Sequence, residues 1–364
     1  MRVIPFELTI VVLNYRTPEL TLDCIASLAP QIGARRRVLV VDNASGDGSA
    51  DAIDRAIEER GWSDWATVLR SPVNGGFAAG NNFGLRHARV HCPAEAYVLL
   101  NSDTIVSHGA LDALVAGMRA HPEAGLVGPR FDTADGELDV SAFRDHTPIS
   151  ELEVAASTGI VSRLLSRVRV PTPVASAERP FHPQWLGFAC VLVRREVLAE
   201  IGGLDEGFFM YFEDADYCRR VRAAGWKMLY WPSARVIHLG GGSSGFSTRE
   251  GMPKRLPRYY FESRARYFAR HHGRTGPLRA NLAWMTGAAL ATSRALIGQR
   301  GFTTPLETVR DLWISTFSTT PRVVTSLPPT HEPAQLRSSL VELDDPARSP
   351  HEAYSSAARL ARVG

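Results

Sequence analysis

Three short apolar runs of the chain each end in an acid or an amide and then pass into a turn. The runs and their last residues are 8–14 with Asn14, 37–42 with Asp42, and 96–101 with Asn101. Uninterrupted apolar runs of this length are typical of strands that are buried on both faces of a sheet. Helical patterns begin at Pro18 and Ser49 after the first two runs. The sequence therefore predicts an α/β fold with a doubly wound, mostly parallel sheet and a nucleotide-type crevice at the strand ends.

The third run continues into Asn101, Ser102 and Asp103. A carboxylate at the end of such a strand projects into the crevice, and it suits a Mg²⁺ or Mn²⁺ ion that carries a diphosphate. The alternative is that Asp103 caps the helix expected near Ser107 or forms an Asx turn. Asp42 has the same two interpretations, as a ligand or as a turn residue.

Residues 74–82 form a small-residue segment that includes Asn74, Gly76 and Asn81. Its glycines permit close backbone approach to a ligand, and a helix N-terminus there favours negative charge. It matches neither the dinucleotide fingerprint nor a phosphate loop with its lysine. A helix start that only packs against the sheet is the competing interpretation.

Glu213, Asp214 and Asp216 begin a helix that is predicted to end near Ala224, directly after an aromatic segment at 208–211. Acids in a first turn are ordinary complements of the helix dipole. Against an apolar wall, however, such a carboxylate suits the role of general base.

A strand is predicted to end at His238 beside the glycines at 240–242. This position favours metal or phosphate contact, although a lone histidine is more often structural.

The order of these motifs over residues 6–275 resembles the family 2 glycosyltransferases of the GT-A fold, most closely their rhamnosyltransferase-like branch. The resemblance implies a donor site that comprises Leu13, Asn14, Tyr15, Asp42, Asn74, Gly76, Asn81, Asn101, Ser102 and Asp103. It implies that Asp214 is the catalytic base and that Asp103 and His238 hold the metal, although Asn101 replaces the first acid of the Asp-x-Asp motif. It places Gly187, Glu213 and Asp216 on the acceptor side.

The implied reaction is inverting transfer of a sugar, with rhamnose as the expected sugar, from dTDP-rhamnose or a UDP-sugar with Mg²⁺ or Mn²⁺. The acceptor would be a hydroxyl of a glycan or of a polyprenyl-diphosphate-linked glycan in bacterial surface polysaccharide synthesis. A single base on the attacking side predicts inversion. A non-catalytic nucleotide-sugar-binding scaffold is one alternative. A sugar-phosphate nucleotidyltransferase is another, disfavoured because no glycine follows the first strand at residues 14–18.

Composition and segment order indicate the setting. The chain has 364 residues with 45% hydrophobic content, which allows a large core. Its four cysteines include no C-x-x-C pair, which favours buried thiols in a reducing cytoplasm. The apolar run after Glu7 is too short for a signal peptide, and no run reaches the roughly 20 residues of a membrane span. We therefore expect a cytoplasmic protein, peripheral on the inner face of the cytoplasmic membrane.

The chain divides into a catalytic unit at 1–245, a basic amphipathic helical region at 246–318 and a disordered tail at 319–364. The catalytic unit comprises a donor half (1–105) and an acceptor half (106–245). The acceptor half contains an exposed insert at about 147–183, in which a short helix is expected around 150–165. Residues 249–300 hold eleven Lys or Arg against two Glu, about +9, whereas the whole chain is +3. This charge predicts contact with an anionic membrane surface, and a helical pair packed on the core is the alternative. Nucleic acid is not expected, because no binding motif is present.

Overall fold

A computed structural model describes residues 6–156, 159–171, 178–240, 255–296 and 306–318. Within these ranges the centre is a nine-stranded sheet. Its strands are β1 (Phe6–Asn14), β2 (Arg36–Asp42), β3 (Ala66–Arg70), β4 (Ala94–Asn101), β5 (Thr104–Val106), β6 (Ala124–Asp132), β7 (Leu138–Asp139), β10 (Cys190–Arg194) and β11 (Lys227–His238). β8 (Ala142–Phe143) and β9 (Trp185–Leu186) form a separate antiparallel pair.

The sheet order is β3-β2-β1-β4-β10-β6-β11-β5, with β7 paired to β6. β1 runs parallel to β2 and β4, and β6 runs parallel to β11. β10 is inserted antiparallel to both β4 and β6. Asn14 pairs with Asp42, and Leu13 with Asn101, so the three strand ends meet at one edge of the sheet. The predicted α/β class with a mostly parallel sheet is confirmed.

The helices cover both faces of this sheet. They are α1 (Pro18–Leu28), α2 (Ser49–Glu59), α3 (Gly76–His91), α4 (Ala110–Ala120), α5 (Pro148–Ala156), α6 (Gly159–Leu164), α7 (Arg195–Ile201), α8 (Glu213–Ala223), α9 (Arg258–His272), α10 (Gly276–Leu296) and α11 (Leu306–Asp311). Alternate strand residues enter opposite apolar layers: Val11 and Leu99 pack in one, and Ile10 and Val98 in the other. This two-sided burial explains why the strands appear in the sequence as continuous apolar runs.

The insert predicted at 147–183 is not simply an exposed loop. Its helix α5 packs along α10, and Glu151 and Glu153 of α5 are buried. The backbones approach so closely that a Cβ added to Gly287 would lie 2.4 Å from the carbonyl oxygen of Leu152. The prediction of an exposed segment is therefore wrong for α5, because the helix that covers it lies more than 100 residues further along the chain.

The arginines of α9 also differ from expectation. Arg264 donates two hydrogen bonds to Glu151, at 3.0 and 2.8 Å, and Arg266 pairs with Asp205. Both arginines are buried, and buried cations require such partners. These two arginines are therefore not available to a membrane surface, and α9 packs on the core, as the alternative interpretation of residues 249–300 has it.

Two further expectations concern the cysteines and membrane spans. All four cysteines are free thiols, and Cys24, Cys190 and Cys218 are buried, as predicted. Among the described helices, none is both long and apolar enough to cross a bilayer. The tail predicted at 319–364 lies outside the described residues.

Candidate active site

The ends of β1 and β2 carry a buried hydrogen-bonded network. Asn14 Nδ2 donates to Asp42 Oδ1 at 2.7 Å, and Asn14 Oδ1 accepts from Thr21 Oγ1 at 2.9 Å. Ser45 donates to Asp42 from its hydroxyl at 2.6 Å and from its backbone N–H at 3.1 Å. These bonds fix the orientation of the Asp42 carboxylate at the crevice edge. Tyr15 follows as a partly exposed residue, with the Arg16 guanidinium 5.2 Å from its ring centroid.

The small-residue segment is held beside this network by Asn43, which the sequence interpretation did not single out. Asn43 Nδ2 donates to Asn74 Oδ1 and to the carbonyl oxygen of Gly76, both at 3.0 Å. Asn74 Oδ1 also accepts from the Gly76 N–H at 3.0 Å. Residues 74–76, called the donor loop from here on, therefore adjoin the end of β2. The sequence signal that could have identified Asn43 is its position as a polar residue directly after Asp42, the acid at the end of β2.

Asn81 does not line this loop. It lies inside α3, is 1% exposed and donates from Nδ2 to the carbonyl oxygen of Phe77 at 3.0 Å. The structure thus places Asn81 in the packing of α3, and its contact with the donor stays a prediction.

Asp103 and His238 face each other at the ends of neighbouring strands. The Leu239 N–H donates to the carbonyl oxygen of Asp103 at 2.9 Å, and His238 Nε2 lies 3.7 Å from Asp103 Oδ1. His238 Nδ1 lies 3.8 Å from Asp139 Oδ2. Burial by itself lowers the pKa of His238, but Asp139 and Asp103 outweigh it and raise that pKa.

No group of three or more His, Cys, Asp or Glu in the described part of the chain could hold a metal ion. Mg²⁺, however, is commonly held by one or two protein ligands together with substrate phosphates and water. Asp103 and His238 fit such a two-ligand site. The two residues before Asp103 are held in place by hydrogen bonds. The Asn101 N–H donates to the carbonyl oxygen of Ala189 at 2.9 Å, and Ser102 Oγ lies 3.0 Å from Thr17 Oγ1.

The predicted base stands at the start of α8, after two aromatic residues with left-handed backbone. Tyr211 and Phe212 have φ values of 70° and 67°, which non-glycine residues rarely adopt. Asp214 is partly exposed at a densely packed site, and burial raises its pKa to about 6. Burial also raises the pKa of neighbouring Glu213 well above its usual range. Asp214 is therefore ionised at neutral pH and still basic enough to accept a proton.

Asp216 has a different environment from the one predicted. Its side chain is fully buried, with His271 Nε2 2.8 Å from Oδ1 and Arg220 Nε donating to Oδ2 at 2.9 Å. Arg270 Nε lies 3.3 Å from Oδ1. Burial alone would raise the pKa of Asp216, but these partners outweigh it and lower that pKa. Asp216 thus belongs to an ion-pair network with α9, and its place on the acceptor side stays a prediction.

Residues 202–212, called the base loop, run between the donor loop and Asp214. On one side, α3 contacts the base loop. Asn82 Nδ2 donates to the carbonyl oxygen of Leu204 at 2.9 Å, and Asn82 Oδ1 accepts from the Leu204 N–H at 3.0 Å. The Phe77 N–H donates to the carbonyl oxygen of Phe209 at 2.6 Å. A hydrogen bond therefore connects the residue after the donor loop to the base loop.

On the other side, α9 contacts the base loop. Arg266 Nη2 donates to both oxygens of Asp205, at 3.0 and 2.8 Å, and Arg270 pairs with the same carboxylate. Ser263 Oγ donates to the carbonyl oxygen of Met210 at 3.0 Å. The base loop is thus fixed from two helices before the chain reaches Asp214. The residues concerned are 53 to 132 positions apart, and no local pattern relates them.

The predicted acceptor side lies beside α8. α8 packs against β9, and Gly187, directly after β9, donates its N–H to the carbonyl oxygen of Ser141 at 3.0 Å. Phe143 and Trp185 stack there with ring centroids 4.0 Å apart. An apolar wall therefore adjoins the start of α8.

A family model described as "Glycosyltransferase like family 2" matches residues 5–261. The chain belongs to this family, so the family predicted from the sequence, with its GT-A fold, is confirmed. The match ends within α9, and the residues of α9 that pair with Asp205 and Asp216 lie beyond it.

Two curated relatives illustrate the family. The chain is 30% identical over 201 residues to an N-acetylglucosaminyl-diphospho-decaprenol L-rhamnosyltransferase of Mycobacterium tuberculosis, over 53% of this chain and 61% of the relative. It is 27% identical over 198 residues to rhamnosyltransferase WbbL of Escherichia coli, over 54% of this chain and 70% of the relative. The chain thus spans less than two thirds of the mycobacterial protein.

One solved structure, a mannosyltransferase of Pyrobaculum calidifontis in complex with GDP-Man and Mn²⁺, overlaps 81% of this chain and 76% of its own. Its TM-score is 0.47 at 20% identity, which is too distant to assign a ligand to this chain.

Proposed function

We propose that the protein is an inverting glycosyltransferase that moves a sugar from a nucleoside diphosphate to an acceptor hydroxyl. The observation that carries this proposal is the environment of Asp214. Its carboxylate has a pKa of about 6, and it follows a base loop that α3 and α9 fix in place. A carboxylate with a purely structural role needs neither a raised pKa nor a fixed loop before it, whereas a general base needs both.

The donor is held at the carboxyl ends of β1, β2 and β4. The oriented Asp42 carboxylate suits the nucleoside, and the small-residue donor loop at the positive, N-terminal end of the α3 dipole suits the diphosphate. We propose dTDP-rhamnose or a UDP-sugar as the donor, and the printed names of the two relatives support rhamnose.

Asp103 and His238 would hold a Mg²⁺ or Mn²⁺ ion. When bound, such an ion stabilises the negative charge that develops on the departing diphosphate. The chain's own contribution to the leaving diphosphate is the positive end of the α3 dipole, which favours negative charge.

Asp214 takes the proton of the acceptor hydroxyl while that oxygen attacks the anomeric carbon. The bond from this carbon to the diphosphate oxygen breaks, and the electron pair leaves with the nucleoside diphosphate. Since one base serves one displacement, the configuration at the anomeric carbon inverts.

We propose that the acceptor is a glycan, or a glycan on a polyprenyl diphosphate, in bacterial surface polysaccharide synthesis. The mycobacterial relative's name, which includes a diphospho-decaprenol, supports this class. Such an acceptor would bring the protein to the inner, anionic face of the cytoplasmic membrane.

A thermal-shift screen of dTDP, UDP, GDP and their sugars, with and without Mn²⁺, tests the donor site. A ligand at about 100 times its Kd stabilises the native state by about 2.7 kcal/mol, so we expect one base to raise Tm in a Mn²⁺-dependent way. Asp42→Asn should lose this shift, whereas Asp64→Asn, an exposed acid remote from the strand ends, should keep it. No shift with any nucleotide would contradict the proposal. Binding without hydrolysis or transfer would identify a non-catalytic scaffold instead.

A further inference from the structure

The exposed large apolar side chains of the described residues are concentrated in one part of the fold. Seven of the eight lie on α5, α6, α10 and the segment 306–318, and the eighth is Phe209 in the base loop. The seven are Ile149, Val154, Leu164, Leu282, Leu290, Trp313 and Phe317. Leu164 and Phe317, at 78% and 77%, are the most exposed of them, and exposed apolar side chains that are grouped rather than scattered mark an interaction surface. We call this surface the α5–α10 face.

The elements that carry these side chains are in direct contact. α5 packs along α10, and a groove of about 560 Å³ between them is lined by Ile149, Leu152, Leu282 and Ala283, with His272 and Arg279 among its polar residues. Asn281 Nδ2 donates to the carbonyl oxygen of Leu312 at 2.8 Å and to Thr316 Oγ1 at 3.0 Å. These hydrogen bonds therefore hold the segment that carries Trp313 and Phe317 against α10, next to Leu282.

The charges of these elements are one-sided. Exposed cations lie at Arg163, Arg279 and Arg310 of these elements, and at Arg167 and Arg274 directly beside them. Three acids of the same elements are buried in ion pairs: Glu151 with Arg264, Glu153 with Arg169, and Asp311 with Arg255. In the described parts of these elements Glu307 is the one exposed acid. The α5–α10 face is therefore apolar and rimmed by positive charge.

We propose that the α5–α10 face docks on an anionic lipid bilayer. Apolar side chains that enter the interface and arginines that meet anionic headgroups are the two contributions that peripheral binding requires. A second copy of the chain fits less well, because a self-complementary contact would bring like-charged arginines together. α9 fits less well too, since its Arg264 and Arg266 are already buried in ion pairs.

This inference deepens the proposed function, because a lipid-linked acceptor gives the reason for docking, but it uses none of the donor-site residues. If the chain does not bind vesicles, its Tm shift with nucleotides should be unchanged. If no nucleotide shifts its Tm, its binding to vesicles should be unchanged. The two proposals can therefore be separated.

The test is cosedimentation of the full chain with vesicles of equimolar phosphatidylglycerol and phosphatidylcholine at physiological salt. Each cation near an anionic surface is worth about 1 kcal/mol, so Arg279→Glu should weaken partitioning at least fivefold. Leu282→Asp and Phe317→Asp should weaken it by a similar factor, and both alter exposed side chains that the core does not need. Arg55→Glu, an exposed arginine of α2, is the charge-matched control and should bind almost as well as the parent chain.

Equal sedimentation of the parent chain, Arg279→Glu and Leu282→Asp would overturn the proposal, as would no sedimentation at all. A stable dimer that Leu282→Asp dissociates, without vesicle binding, would instead assign the face to a second copy. Far-UV circular dichroism and the nucleotide-induced Tm shift confirm that each variant is folded.

Discussion

His271 Nε2 lies 2.8 Å from Asp216 Oδ1, and this contact joins the last turn of α9 to the helix whose first turn carries the proposed base. Arg270 of the same turn reaches both Asp216 and Asp205. α8 and the base loop before it are thus fixed by the same short stretch of α9. The position of Asp214 therefore depends on residues that lie beyond the family match at 5–261.

We expect His271→Ala to lower kcat about tenfold while the donor KM stays within about twofold, because small displacements of a reacting group are costly whereas donor binding uses other residues. His271→Gln retains a donor and should recover part of the loss. Steady-state kinetics of both variants check this. Arg258→Ala, at an exposed position of the same helix, is the control and should have parent kinetics. A fall in kcat that is accompanied by an equal rise in the donor KM, without rescue by glutamine, would indicate a merely structural role.

The pH profile of kcat/KM should fall on the acid side with an apparent pKa of about 6. The free-enzyme pKa of Asp214 is raised to about 6 by burial, and the base must be ionised to accept a proton. Activity is therefore full above this pH and is lost as the pH falls through it. The pKa of Asp216 is lowered, so that group stays ionised throughout the range. An acid limb near pH 4, the usual range of an aspartate, would contradict the assignment.

Gly76→Ala should destabilise the fold far more than a matched glycine substitution. Gly76 has φ +80°, and a Cβ there would lie 1.9 Å from the carbonyl oxygen of Phe209. Gly136 has φ +79° with nothing within 4 Å. Both variants carry the left-handed cost of about 1–2 kcal/mol, and Gly76→Ala must in addition displace the base loop. Urea unfolding should therefore give a loss of about 3 kcal/mol or more for Gly76→Ala. Equal losses would mean that the donor loop and the base loop are not in contact.

Removal of divalent ions should abolish most of the activity, and Asp103→Asn should abolish the response of nucleotide binding to Mn²⁺. The reason is that the Asp103 carboxylate faces Nε2 of His238 at 3.7 Å, and these two groups would hold the ion. Titration of a chelator-treated sample with Mn²⁺, followed by nucleotide affinity, measures this. The Asp42→Asn variant is the contrast, since it should weaken nucleotide binding with and without metal. Full activity without divalent ions would remove Asp103 and His238 from this role.

The parts of the fold that were predictable are those whose signal is local. Apolar runs that end at Asn14, Asp42 and Asn101 are strands because both faces of the sheet are covered, and Pro18 begins α1 at its first residue. Their polar ends meet because neighbouring strands run parallel in matched register. The meeting of these polar strand ends at one edge of the sheet could therefore be predicted from the sequence.

The parts that were missed depend on distant partners. Asp216 and Arg266 have the composition of exposed helix residues. Asp216 is buried against Arg270 and His271 of α9 as well as Arg220 of its own helix, and Arg266 is buried against Asp205, 61 residues away. Asn82 resembles its neighbour Asn81, yet only Asn82 contacts the base loop. No pattern in the sequence shows that Tyr211 and Phe212 are left-handed.

The most direct test of the account is transfer by Asp214→Asn with donor binding measured on the same sample. The account predicts that kcat falls about 10²- to 10⁴-fold, the contribution of a general base, while the nucleotide-sugar Kd stays within about twofold. Asp216→Asn is not an equivalent control, because it breaks a buried ion-pair network; Asp64→Asn is, and it should be fully active. Near-normal turnover by Asp214→Asn with donor bound would contradict the central claim.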